Sequence, residues 1–114
     1  MALLDKAAIV DADDLPHEDV DVPEWGGTVR VRTMTGIERD RFEAEMLAAE
    51  GAGANVRARL VGRCMIDAGG KALFDDQTLD ALGAKSARAL DRVFTVAQRL
   101  NGLSGADVDE LEKN

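Results

Sequence analysis

The chain has 114 residues, enough for one domain and too few for two ordinary ones. Its 22 acidic side chains outnumber 14 Lys and Arg for a formal net charge of −8, so phosphate backbones would repel it and nucleic acid is not an expected partner. The single Cys64 excludes an internal disulfide, no apolar run approaches the roughly 20 residues of a membrane span, and the opening MALLDKAAIVDADD is too short and acidic for a signal peptide; a reducing cytoplasm is expected.

The charge is unevenly placed. Residues 1–24 hold eight acids against Lys6 alone, whereas residues 25–114 are close to neutral. Residues 1–17, with Leu3, Leu4, Ile9 and Val10 followed by DADDLPHED, read as an acidic, mobile segment. The pattern leaves 3–10 open between a short helix and a strand. A single domain is expected over 18–114.

The first regular element is a β-hairpin. Val20 and Val22 alternate with Asp19 and Asp21, and Val29 and Val31 alternate with Arg30 and Arg32. PEWGG between them supplies turn residues. Pairing Val22 with Val29 and Val20 with Val31 gathers the valines on one face. It also sets Asp21 opposite Arg30 and Asp19 opposite Arg32. An antiparallel hairpin in this register, with a loop of about four to six residues, is the prediction.

Helical patterns follow. Thr35 and Glu38 fit a capping box, opening a helix to about residue 49 with Ile37, Phe42, Met46 and Leu47 as its apolar face. GAGAN (51–55) breaks the pattern. A second helix over about 54–67 carries Val56, Leu60, Val61, Cys64 and Met65 on one side. DAGGK (67–71) reads as a turn, after which Leu73 and Phe74 anchor the chain on the core. Asp75 or Asp76 caps a short helix to Leu82, stopped by Gly83. The strongest amphipathic segment, 86–101, starts at Ser86 and places Leu90, Val93, Phe94, Ala97 and Leu100 on one stripe. Gly102 ends it, and Ser104 with Asp107 begins a last helix bearing Val108 and Leu111. The expected class is α+β, mainly helical: a hairpin followed by four or five short helices.

Catalytic chemistry finds few residues to use. His17 is the only histidine. It reads either as a metal ligand beside Asp13, Asp14 and Glu18 or as a solvated side chain, and the segment's lack of fixed geometry favours the second. Cys64, within an apolar stripe and without a basic neighbour, reads as an inert core thiol. GAGAN lacks the strand and helix context of a phosphate loop, and DADD lacks the ligand spacing of a calcium loop. No catalytic set, cofactor or metal site is expected. Trp25, the only tryptophan, sits in the hairpin loop and is the leading partner-binding candidate. It folds back on the hairpin and the first long helix, presents one face to a partner, or does both. Leu100, Val108 and Leu111 are further candidates, as stripe edges open to the helix-in-groove mode, with internal core as the alternative.

The stretches VPEWGGTVRVR, TGIERDRFE and VAQRLNGLS, within a pattern spanning nearly the whole chain, resemble tail assembly chaperones of long-tailed (siphovirus-type) bacteriophages. The resemblance implies a non-enzymatic morphogenesis factor. Such a factor binds the tape measure protein, keeps it soluble, and helps recruit tail tube subunits, mainly through a C-terminally extended form. It implies the host cytoplasm as location, absence from the mature virion, and the shorter of two products related by a frameshift. The ending Glu112-Lys113-Asn114 can be encoded with a slippery A AAA AAC run, which sequencing the gene tests. Self-association is also expected, since many copies must cover a long tape measure. The competing readings are a head–tail connector or tail component retained in the virion, and a small metal-dependent protein using His17.

Overall fold

The computed structural model describes residues 2–48 and 55–113, apart from the side chains of 109 and 111–113. Its elements are α1 (Lys6–Asp11), β1 (His17–Val22), β2 (Gly27–Arg32), α2 (Gly36–Ala48), α3 (Val56–Cys64), β3 (Met65–Ile66), α4 (Leu79–Leu82), α5 (Ala87–Leu100) and α6 (Gly105–Lys113). The α+β class is as expected, with the hairpin followed by the helices α2 to α6. The segment left open at the N-terminus is helical: the Asp5 carboxylate accepts from the Ala8 N–H at 2.8 Å and caps α1. Most of GAGAN lies outside the described residues. Its last member, Asn55, enters α3 with a left-handed φ of 57°.

The hairpin forms between the expected strands, but its register differs by two residues. Val20 faces Val29, Asp19 faces Arg30, and Val22 faces Gly27. The period of two in side-chain direction is kept, so Val20, Val22, Val29 and Val31 still share a face. The turn decides between the two registers. Pro23–Trp25 form one 3₁₀ turn, and Gly26, at φ 74°, donates its N–H to the Pro23 carbonyl at 3.0 Å. That closes the loop in four residues and pulls each strand one step nearer the turn. Two consequences follow. Arg30 forks onto Asp19 through two hydrogen bonds of 2.8 and 3.2 Å, and Glu18 lands opposite Val31 on the inner face. There Glu18 pairs with Arg99 of α5 at 2.6 Å.

A third strand was not expected. The helix predicted to residue 67 ends at Cys64, and Met65–Ile66 pair antiparallel with β2, Val31 to Met65 and Arg30 to Ile66. The Asp67 carboxylate accepts from the N–H groups of Gly69 and Lys71 at 2.8 and 3.0 Å, with Gly70 at φ 86°. This turn folds the chain back so that Ala72 bridges Ile66. The backbone therefore gains sheet and turn hydrogen bonds that a helix continued through Gly69 and Gly70 would forgo.

The capping box at α2 is present in both directions. Thr35 N–H donates to Glu38 at 2.8 Å and Glu38 N–H donates to Thr35 at 3.2 Å. Ser104 and Asp107 repeat the arrangement at α6. The expected apolar face of α2 needs correction, because only Phe42 and Met46 are buried; Ile37 and Leu47 are 68% and 64% exposed. At about 100° per residue, Ile37 and Leu47 each lie roughly 140° from Phe42 on the helix, too far round to share its contact. Leu73 is also 48% exposed, while Phe74 packs against the core. The Asp75 carboxylate takes the N–H groups of Gln77 and Thr78, making residues 75–78 a turn and leaving α4 only four residues.

The central helix is α3, with Val56, Ala58, Leu60, Val61, Gly62 and Cys64 all buried. A Cβ on Gly62 would come within 1.9 Å of Leu79 Cδ2, so this glycine sets how closely α4 approaches. Ser86 caps α5 by accepting from the Ala89 N–H at 3.3 Å. This helix lies along the hairpin, held by Arg92 on Glu24 near the turn and Arg99 on Glu18 near the open end. At its C-terminus Asn101 joins three segments. Its Oδ1 accepts from Met34 N–H at 2.8 Å, and its Nδ2 donates to Ala97 O at 2.8 Å and Cys64 Sγ at 3.3 Å. Asn101→Ala is therefore expected to cost about 1–3 kcal/mol in urea unfolding, because the part-buried Met34 N–H loses its acceptor. An unchanged midpoint would show that water replaces the amide without penalty.

Candidate partner-binding cleft

The turn that carries Trp25 is fixed by its neighbours. Pro23 presets the first backbone angle, Gly26 closes the turn, and Glu24 reaches Arg92 of α5 at 2.9 and 3.1 Å. The Arg92 hydrogen bond, aided by a backbone N–H, holds the Glu24 carboxyl below the usual carboxylate range. So anchored, the half-buried Trp25 packs against the core with part of its surface outward. The turn contacts α5. The fold-back expected of Trp25 occurs against the core, where it borders a cleft with Val29, Met65, Phe74 and Leu82.

Beside Trp25 opens a cleft of about 520 Å³, bordered by Val29, Met65, Leu73, Phe74 and Leu82, with Lys85 at its rim. Its lining is mainly apolar. Three elements create it. β3 carries Met65 to the sheet, the Asp67–Lys71 turn swings Leu73 and Phe74 across, and α4 supplies Leu82. A smaller cleft of about 370 Å³ lies on the outer sheet face around Arg30, Ile66 and Leu73. There Arg30 is already engaged by Asp19, whose carboxyl that hydrogen bond holds low. A mainly apolar cleft whose charged lining is one acid, Glu24, and one base, Lys85, suits an apolar helical or extended segment better than a small polar ligand.

The other sequence-derived candidates are not gathered here. Leu100 is half-buried against the core at the open end of the hairpin, where its carbonyl accepts from Thr33 Oγ1 at 3.1 Å. Val108 is 9% exposed and belongs to the core, so it offers little surface to a partner. Leu111 belongs to α6, but its side chain lies outside the described residues. Only Trp25 borders the cleft. Met65, Leu73, Phe74, Leu82 and Lys85 were not singled out as binding residues. The signal available for them was the turn sequence Asp67-Ala68-Gly69-Gly70 directly after Ile66, which marks a chain reversal.

His17 begins β1 with an exposed side chain. Among the described residues no group of three or more His, Cys, Asp or Glu side chains is placed to hold a metal ion. No described helix is long and apolar enough to cross a membrane. Cys64 lies fully buried, and burial pushes its thiol up to about 12, against a weaker opposing hydrogen bond from Asn101.

The described residues thus define an α+β domain in which a three-stranded antiparallel sheet carries a helical body and an open apolar cleft at the hairpin turn. The same fold occurs in the solved structure of the bacteriophage HK97 tail assembly chaperone. The match has a TM-score of 0.63 and covers 87% of this chain and 93% of that one, at 18% sequence identity. At that identity the likeness establishes the fold. No protein-family model matches the chain, and no curated protein is matched by its sequence.

Proposed function

We propose that this protein is a phage tail assembly chaperone. In this role it binds the tape measure protein, keeps it soluble, helps recruit tail tube subunits during tail morphogenesis, and then leaves before the virion is complete. The observation carrying the proposal is the fold shared with the HK97 tail assembly chaperone over nearly the full length of both chains. Two features of this chain support it. The cleft beside Trp25 offers apolar surface of the kind a long helical partner requires. The acidic N-terminal segment adds net charge that keeps a complex with an apolar partner dispersed. Self-association and a frameshifted, C-terminally extended product that engages the tube protein belong to the same proposal.

Co-expression with the tape measure protein of the same phage tests it. The expected result is co-purification and a several-fold rise in soluble tape measure protein. A tape measure protein equally insoluble with and without this chain, and no co-purification, would end the chaperone reading. Mass spectrometry of purified particles separates it from a connector, which would remain in the virion.

A further inference from the structure

Among the described residues, β1 pairs with another strand along one edge only. The Pro16 carbonyl accepts from the Thr33 N–H at 3.1 Å, and hydrogen-bonded residues alternate from there along an antiparallel pair. Glu18, Val20 and Val22 therefore turn their backbone groups toward β2. His17, Asp19 and Asp21 turn theirs the other way, and no backbone hydrogen bond among the described residues meets them there. The result is a template for one more strand, along an element of about 20 Å.

The two sides of this free edge differ in chemistry. On the outer face stand the exposed side chains of His17, Asp19 and Asp21. Arg30 engages Asp19 from β2, while Asp21 accepts from the Thr28 hydroxyl at 2.9 Å and forms no ion pair among the described residues. Asp13 and Asp14, exposed in the segment leading into β1, add negative charge. The inner face is apolar between two ion pairs. Half-buried Val20 lies there, and α5 runs along it, pinned by Arg92 on Glu24 and Arg99 on Glu18. Half-buried Val96 stands four residues after Arg92 and three before Arg99, so it shares their face of α5.

We infer that this edge receives an extended segment of a partner protein in which basic and apolar residues alternate. An added strand places the residues opposite His17, Asp19 and Asp21 on the outer face, and those between them on the inner face near Val20 and Val96. Arginine or lysine suits the first set, and valine, isoleucine or leucine the second. The opposite edge of β1 already holds such a strand. In β2, Val29 and Val31 share the inner face, while Arg30 reaches out to Asp19 at 2.8 Å. The occupant thus repeats the chemistry of β2 on the side of β1 where no strand lies. Main-chain hydrogen bonds supply affinity, and the outer carboxylates reject an acidic segment. None of the residues lining the Trp25 cleft belongs to β1, so the two surfaces are separate. The test needs no tape measure protein, and its failure would leave the chaperone proposal standing.

The probe is a six-residue peptide alternating valine and arginine, acetylated and amidated, titrated into the full chain near neutral pH. Exchange of the His17, Asp19 and Asp21 amides with water, followed by NMR, should be fast in the free protein and slow by at least about tenfold at saturating peptide. A peptide with glutamate in place of arginine should bind at least about tenfold more weakly, and so should the arginine peptide offered to Asp21→Lys. Asp21 is exposed, so circular dichroism and the urea midpoint of that variant should match wild type. Absence of binding, equal binding of the glutamate peptide, or binding that leaves those three amides unprotected overturns the inference. So does protection of the same amides in the free protein that grows with its concentration, since a second copy would then hold the edge.

Discussion

Phe42→Ala should destabilise the protein by about 3–5 kcal/mol. Phe42 is fully buried and is the largest of the fully buried side chains. It is also one of only two α2 residues that reach the core, the other being Met46. The remaining ties of α2 are polar. They comprise its capping box, Arg32 on Glu38 at 2.9 Å, and Glu45 with Arg59 and Arg63 of α3. Partly exposed ion pairs of this kind contribute roughly 0–1 kcal/mol each and cannot hold the helix if its anchor is lost. A chain of this size has about 5–15 kcal/mol of stability in total, so the substitution removes a large share. Urea unfolding should show the midpoint falling by about 2 M with the slope unchanged. Phe42→Leu, which keeps most of the volume, should cost much less. A Phe42→Ala midpoint within experimental error of wild type would show that α2 is not anchored as described.

Cys64 should react with a thiol reagent at least about 1,000-fold more slowly in the native protein than in urea at pH 8. Only the thiolate attacks, and a thiol moved from 9.0 to about 12 by burial has about a thousandth of the thiolate at that pH. Full burial adds a steric barrier. The linkage has a definite sign. The folded state holds its proton to higher pH than the unfolded state does. Stability from this group is complete below about pH 9 and declines as pH rises through the interval to about 12. Cys64→Ala should flatten that alkaline decline. Rapid native labelling would mean the α3 end opens far more readily than its packing implies.

Features carried by nearest neighbours in sequence were readable in advance. The capping boxes at Thr35/Glu38 and Ser104/Asp107 are each set by two residues three apart, and both formed as expected. The buried stripe Leu90, Val93 and Ala97 follows from helical period alone. The hairpin register was only half readable. Alternation fixes which face a valine takes, but it is blind to a shift of two. The turn chosen by Pro23 and Gly26 settled the matter. β3 was hidden because two residues at the end of a helical pattern have no periodicity of their own, and their strand exists only because β2 lies beside them. The cleft was harder still, since Trp25, Met65, Leu73 and Leu82 meet only after the hairpin, the Asp67 turn and α4 are assembled.

Among the described residues β1 is an edge strand of the sheet, with β2 on one side of it and no strand on the other. An uncovered strand invites another sheet to zip onto it, which is the first step toward irreversible aggregation. In this chain that strand contains Glu18, Asp19 and Asp21. If two copies aligned these strands antiparallel about Val20, Asp19 of one would stand opposite Asp21 of the other, carboxylate against carboxylate. Such a pairing is disfavoured. The acidic strand thus acts as an electrostatic insulator. It disfavours the backbone fusion that close approach of two such edges would otherwise promote.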